Sequence, residues 1–555
     1  MRFVGLGFIF SLWFMSLATR GEAQFYSPPF YYTTNNNAAT LSRYTGVNGT
    51  VNIPATLGGL PVVAIGTGAF FNNKYLTSLI TTNNVKILGT NAFMYCTNLT
   101  TVTLGTSITN IADAAFLNCT RLKSVTIPSN TINLGTRVFA NCSSLTNILL
   151  PNAVTSIGAG AFDNCPNLAN VTVDPSNPVY SSAEGVLFNQ QLATLLLCPQ
   201  ARSGGFTIPN GITTINDQAF QNCAGLTSIV IPNSVTSIGS STFQFCINLT
   251  NVSIGTGVVS IGTSAFYNCS SLVNVLLPTN IASIGDEAFE YCGSLTNFVM
   301  PNTVTNTGNW TFAYCTNLVA ATISTNVTTI GNDLFWWDAN LRDVTIPAGV
   351  IIIGVGAFGN GVGITSLVIP DSVTTIGGYA FSASPLTSLV IGRSVTNIGL
   401  EAFEGCSTLS SSVTIPKGVT YIGDYAFAVC FRVPAFFFQG DAPTLGPSAF
   451  WDDLAATAYY LPNTSGWTNT LDAIPAVLWN PLAQTADGSF GFLGNRFGFN
   501  ITGTTNIPIV VEATTNLNAV KWAQLQSCTV TNGSIYFSDT NGTNFPKRFY
   551  RISSP

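Results

Sequence analysis

A stacked-repeat solenoid is the fold class that the sequence predicts. It is a parallel β-solenoid with short helical or 3-10 turns on its outer side, followed by a small C-terminal all-β domain. A recurring phenylalanine period and a strand-and-turn pattern inside each period carry the prediction. Phe70, Phe93, Phe116, Phe139 and Phe162 are each 23 residues apart, and so are Phe220, Phe243, Phe266, Phe289, Phe312, Phe335, Phe358 and Phe381. Phe403, Phe427 and Phe450 continue with spacings of 22, 24 and 23. A fixed period of this size overrides the prior of several domains for 555 residues, because stacked repeats form one elongated body.

The unit from Leu226 to Cys246, LTSIVIPNSVTSIGSSTFQFC, explains each element. Ile229 and Ile231 alternate with β-branched neighbours and read as a short strand, which Pro232 stops. Val235 to Ile238 reads as a second extended piece ending at Gly239, and the stretch Ser-Thr-Phe-Gln-Phe-Cys as one helical or 3-10 turn. Leu226, Ile229, Ile231, Val235, Ile238, Phe243 and Cys246 recur as apolar columns. A single unit cannot bury these side chains, but stacking on a neighbour hides them and pairs the strands.

The consensus L-T-x-I-x-I-P-x-x-V-T-x-I-G-x-x-A-F-x-x-C resembles the BspA-like class of leucine-rich repeats, over roughly Ala55 to Phe450. The resemblance implies a right-handed curved solenoid, export to the cell surface and, in some members, adhesion to host matrix or to other cells.

Around the repeats the chain divides further. Arg2, the apolar run Phe3 to Ala18 and the small residues near Ala23 read as a signal peptide over 1–23. Residues 24–54 are an N-terminal cap region and 55–450 the solenoid. The register breaks once, where Phe162 and Phe220 stand 58 residues apart. The extra sequence, near 174–209, reads as a β-hairpin around Asn189-Gln190-Gln191 that projects from the stack. Residues 451–483 suit a C-terminal cap, and 484–555 a linker and a small β-sandwich domain. No later segment reaches membrane-spanning length without Asn, Pro or charge, so no membrane insertion is expected after signal cleavage, and the chain is expected to be secreted or at the cell surface.

Composition narrows the chemistry. The chain is 46% hydrophobic and 7% charged, with net charge -5. Eighteen Lys and Arg over this length leave no basic stripe for phosphates, so nucleic acid is not an expected partner. Histidine is absent, which removes the commonest general base and metal ligand. Eleven cysteines sit three residues after an anchor Phe, from Cys96 to Cys430, while Cys198 and Cys528 lie elsewhere. They form either a buried reduced ladder or, given export, disulfides between turns. Asn73, Asp338, Gly361, Ser384 and Asp453 replace Cys in the column and favour the ladder. A 23-residue spacing fits no metal site. Gly354 to Gly359 matches G-x-G-x-x-G, yet it is the ordinary repeat with two extra glycines, so no cofactor is expected. The carboxylate groupings Asp286 with Glu287, Asp338 with Asp343, and Asp452 with Asp453 read as solvated loop charges, and no catalytic residue is assigned.

One surface feature remains. The position two after the anchor is Asn in six turns from Asn72 to Asn268, but it becomes Phe245, Tyr291, Tyr314 and Trp337, with Trp336 adjacent. These residues either line an edge suited to stacking on a ligand or pack inward against the next turn. The reading is a non-enzymatic scaffold for extracellular recognition or adhesion, with a protein or surface glycan as partner. A purely structural or lattice-type surface protein, suggested by pairs such as Thr227-Ser228 and Thr250-Asn251, is the alternative, and a glycan-degrading enzyme is a more distant one.

Overall fold

The computed structural model describes residues 23–519, 521–545 and 547–554; apart from Ala23, the predicted signal peptide at 1–23 lies outside the described residues. The chain forms two compact units, one running to Gly204 with Thr214–Gly225, the other made of Gly205–Thr213 and Leu226–Pro555.

In the first unit, strands one period apart pair in parallel: Ser78–Ile80, Thr101–Thr103, Ser124–Val125, Asn147–Leu150 and Asn170–Val173 make one ladder. A second ladder joins Leu60–Ile65, Ile87–Leu88, Asn110–Ile111, Asn133–Leu134 and Ser156–Ile157. The antiparallel pair Phe30–Asn35 and Ala38–Tyr44 begins the unit, and Tyr44 stacks on Phe70 at 4.9 Å, closing the end of the phenylalanine column. In the inserted region Tyr180–Ala183 pairs antiparallel with Val186–Asn189, which pairs with Thr194–Leu197. That third strand runs parallel to Thr214–Ile215, so the insertion returns its last strand to the ladder.

The second unit repeats the plan. Leu226–Ile231, Asn251–Ile254 and Asn274–Leu276 pair in parallel, as do Ser237–Ile238, Ser260–Ile261, Ser283–Ile284 and Asn306–Thr307. From Phe243 to Phe450 the anchors form one stack with ring centroids 5.1 to 5.7 Å apart. The seven apolar positions read from Leu226 to Cys246 are all buried, because each side chain meets its counterpart one period away.

The outer side, where one helical or 3-10 turn per repeat is expected, is built of tight three-residue closures that do not propagate into a helix. Around Phe266 the N–H groups of Ala265, Tyr267 and Cys269 donate to the carbonyls of Gly262, Ser264 and Phe266, three successive three-residue closures. Ser264 and Asn268 have φ near +53°, and left-handed residues at these two places stop helical propagation. Their N–H groups, with that of Phe266, donate instead to Asp286, Glu290 and Ala288 of the next turn at 2.8 Å. Among the described residues, 3-10 segments occur at Thr531–Gly533 and Gly542–Asn544, both in the C-terminal module.

After Phe450 the strands Thr457–Tyr460 and Ile474–Leu478 extend the parallel ladder of Ala435–Phe438. The module that follows has two antiparallel sheets. Arg496–Thr502 lies between Gly491–Leu493 and Ser534–Asp539, and Ile507–Thr514 between Ala523–Val530 and Phe549–Ser553. Its core of Phe499, Ile501, Ile507, Ile509, Val511, Val530 and Phe537 packs against Tyr459, Val477 and Trp479 of the preceding strands, and the Trp479 indole N–H donates to Pro508 O at 2.8 Å.

Candidate recognition surface

Two left-handed positions per period, two before and two after the anchor, govern the outer face. At the second, Asn118, Asn141, Asn268 and Asn360 take φ between +53° and +61°. Asparagine adopts this conformation at little cost, and there it directs its N–H at the next turn. Tyr95, Phe245, Tyr291, Tyr314 and Trp337 hold the same backbone, with φ between +60° and +66°. Bulky side chains pay about 1–2 kcal/mol for it. The inter-turn bonds that impose it are intact: Phe245 N–H donates to Tyr267 O, Tyr291 N–H to Ala313 O and Tyr314 N–H to Trp336 O, each at 2.9 Å.

The rings do not sink into the core. Phe245 is 37% exposed, Tyr291 39% and Trp337 48%, while Tyr314 is half-buried between its neighbours. Phe245 meets Tyr267 edge-on at 5.5 Å, Tyr267 meets Tyr291 edge-on at 5.5 Å, and Tyr291 stacks flat on Tyr314 at 4.5 Å. A continuous band of rings thus crosses four turns. Tyr267, which sequence reasoning passed over, is its bridge: it sits one residue after its anchor, in a different column from the rings it touches. Trp336 leaves the band and packs edge-on against Trp310 at 6.3 Å. Trp310 was also passed over, although an aromatic two residues before an anchor, at a left-handed position, was the available signal.

Carboxyls underlie the band. Glu290 is 8% exposed, and burial, with the nearby Glu287 charge, pushes its pKa up to about 8. The Tyr291 hydroxyl rises to about 12, through desolvation first and then the neighbouring Tyr314 and Glu290. The carboxylate groupings of the sequence take different partners or different degrees of burial. Asp286 accepts the Asn309 N–H at 2.8 Å and Glu287 accepts the Ser264 hydroxyl at 2.9 Å. Asp338 and Asp453 are buried in the cysteine column, whereas Asp343 and Asp452 are exposed.

The thiols form a ladder. Cys269, Cys292 and Cys315 donate to the carbonyls of Phe243, Phe266 and Phe289 at 3.1 to 3.2 Å, and in the first unit Cys96, Cys119, Cys142 and Cys165 do the same one turn back. All thirteen cysteines are thiols in this structure. The threonine ladders are also tied inward: Thr250 and Thr387 hydroxyls donate to the carbonyls of Thr227 and Thr365 at 3.0 and 2.9 Å.

Comparison with known proteins follows this geometry. No curated protein matches the chain. A leucine-rich repeat protein from Bacteroides ovatus is similar at 21% identity, over 82% of this chain and 100% of that one, with a TM-score of 0.42. The pneumococcal vaccine antigen PcpA is similar at 16% identity over 76% and 94%, with a TM-score of 0.45. A leucine rich cell surface protein from Faecalibacterium prausnitzii is similar at 22% identity over 76% and 97%, with a TM-score of 0.30. The BspA type leucine rich repeat region matches in six copies across residues 63–183, 202–319 and 328–456, more than half of the chain. With this period, these columns and this family match, the chain belongs to the BspA type leucine-rich-repeat family.

Proposed function

We propose that this chain is an exported scaffold for extracellular recognition or adhesion, which binds a protein or a surface glycan through the ring band of the second unit. The observation that carries the reading is the set of bulky residues, Phe245, Tyr291, Tyr314 and Trp337, in a left-handed backbone position that asparagine fills without strain elsewhere in the repeat. Packing does not require them there, since Asn268 occupies the same place between two of them. Local rules broken without gain in stability mark functional positions. Membership of a family of surface proteins supports an extracellular setting.

The test is the double variant Tyr314→Asn with Trp337→Asn on an array of matrix proteins and glycans. Binding seen with the natural chain is expected to disappear, since each ring lost from a recognition centre costs about 2 kcal/mol or more in affinity, with the fold retained. Unchanged binding would overturn the reading. A lattice-type role is less supported for the Thr column, because the Thr100, Thr250 and Thr387 hydroxyls are donated to backbone carbonyls of the preceding turn.

A further inference from the structure

Between Arg202 and Arg342 the sequence holds no lysine or arginine, yet it carries Asp217, Asp286, Glu287, Glu290, Asp333 and Asp338. Three of these, Asp286, Glu287 and Asp333, line an open groove of about 420 Å³ together with Trp310. Departures from the repeat build the groove. Trp310 stands at φ +57° in a column that holds Gly68, Asn91, Ser241 and Ser264 but also Arg137, Gln218, Tyr379 and Tyr425. Its ring meets Trp336, and Trp336 has room only because the next turn carries two glycines. A Cβ on Gly356 would lie 2.9 Å from the Trp336 ring and 2.0 Å from Asp333 Oδ1, and a Cβ on Gly359 2.6 Å from the same ring. The glycines that imitate a nucleotide-binding fingerprint are the seat of an indole.

The carboxylates differ in availability. Asp286 is occupied by the Asn309 N–H and Glu287 by the Ser264 hydroxyl. Asp333 lies half-buried beside the indoles, and desolvation alone drives its pKa up to about 6, with no cation to lower it. A partly desolvated carboxylate next to two indoles attracts a cation through both Coulomb and cation–π terms, repels anions, and stays uncompensated against a neutral sugar.

We propose that the groove lined by Trp310 and Asp333, with Trp336 packed behind Trp310, receives a lysine or arginine side chain, so that the partner is a protein presenting a basic segment to this face. The inference rests on the recognition reading above and adds the chemistry of the partner.

The experiment titrates the full chain with acetyl-tetralysine amide at low salt, by calorimetry and tryptophan fluorescence, and in parallel with chitotriose. Saturable tetralysine binding that weakens with added salt is expected. Trp310→Asn and Asp333→Asn are each expected to weaken it about tenfold, whereas Asp343→Asn, which removes the same charge from an exposed strand position, changes it less than about twofold. Asn already serves the Trp310 column at Asn91, so Trp310→Asn keeps the fold, checked by circular dichroism. Absence of tetralysine binding, an equal loss in Asp343→Asn, or indifference to Trp310→Asn overturns the proposal. Chitotriose binding lost in Trp310→Asn without tetralysine binding also overturns it, while leaving the recognition reading intact; that reading falls separately, with the Tyr314 and Trp337 double variant.

Discussion

Tyr291 and Tyr314 stack face to face on successive turns, their ring centroids 4.5 Å apart and their planes 3° from parallel. A stacked pair contributes about 0.5–1.5 kcal/mol beyond its buried area. Two bulky residues in left-handed backbone cost about 1–2 kcal/mol each. The backbone cost is at least as large as the stacking gain, so stacking by itself does not account for the pair.

Trp337→Asn is therefore expected to leave the thermal midpoint unchanged or to raise it, since Trp337 is the most exposed of the candidate aromatics and Asn relieves the backbone. Calorimetry of the single variant checks this. A loss above about 2 kcal/mol would show that the indole supports the packing.

Phe266→Ala is expected to cost roughly 3–5 kcal/mol as a cavity in the core. Phe266 is fully buried and stacks on Phe243 at 5.1 Å and Phe289 at 5.2 Å. Because each turn stabilises the next, amide exchange should quicken in the turns on both sides. Confinement of the effect to the mutated turn would contradict this coupling.

The ladder thiols should be unreactive in the native protein and react in bulk after denaturation, without prior reduction. Burial pushes the Cys96 and Cys165 thiols up to about 12 and Cys269 and Cys315 well above their ordinary value. Fewer than about four thiols on denaturation would establish disulfides instead. Cys292→Ala should cost about 0.5–1.5 kcal/mol for the lost bond, since the thiol is one of two donors to the Phe266 carbonyl, which keeps the Cys269 N–H. Cys292→Ser should cost less, as the Ser384 hydroxyl already donates to Phe358 O at 3.4 Å in this column.

Stability should fall as pH rises from about 4 toward 8. Burial pushes the Asp453 carboxyl up to about 8 and Asp338 well above the carboxylate range. A folded-state pKa above the unfolded one means that the native chain binds the extra proton. The stabilisation is complete below the unfolded pKa and is lost as pH climbs through the folded one, at up to about 1.4 kcal/mol per pH unit for each proton. Asp453→Asn, a residue this column already carries at Asn73, should flatten the profile of unfolding free energy between those limits. A profile identical to that of the natural chain would exclude Asp453 as its source.

Much of the fold is legible in the sequence because every turn meets a copy of itself. A residue such as Ile229 or Phe266 finds its neighbour one period away at the same position, so recurrence alone reveals which side chains are buried. The outer column two after the anchor was visible in the same way, as asparagines interrupted by Phe245, Tyr291, Tyr314 and Trp337. What the turn does with its backbone was not legible. Ser-Thr-Phe-Gln-Phe-Cys suits a helical turn by local pattern, and only the carbonyls of the adjacent turn, which capture the N–H groups of Ser241 and Phe245, select the left-handed conformation. Contacts between different columns were equally hidden. That Tyr267 bridges Phe245 to Tyr291, that Trp336 turns away to Trp310 over two glycines, and that Asp338 lies in the thiol column while Asp343 faces solvent depend on the tilt between turns and on burial. Periodicity names the partners that share a column, because translation by one turn preserves them. Partners in different columns are set by side-chain direction and desolvation, which exist only once the turns are stacked.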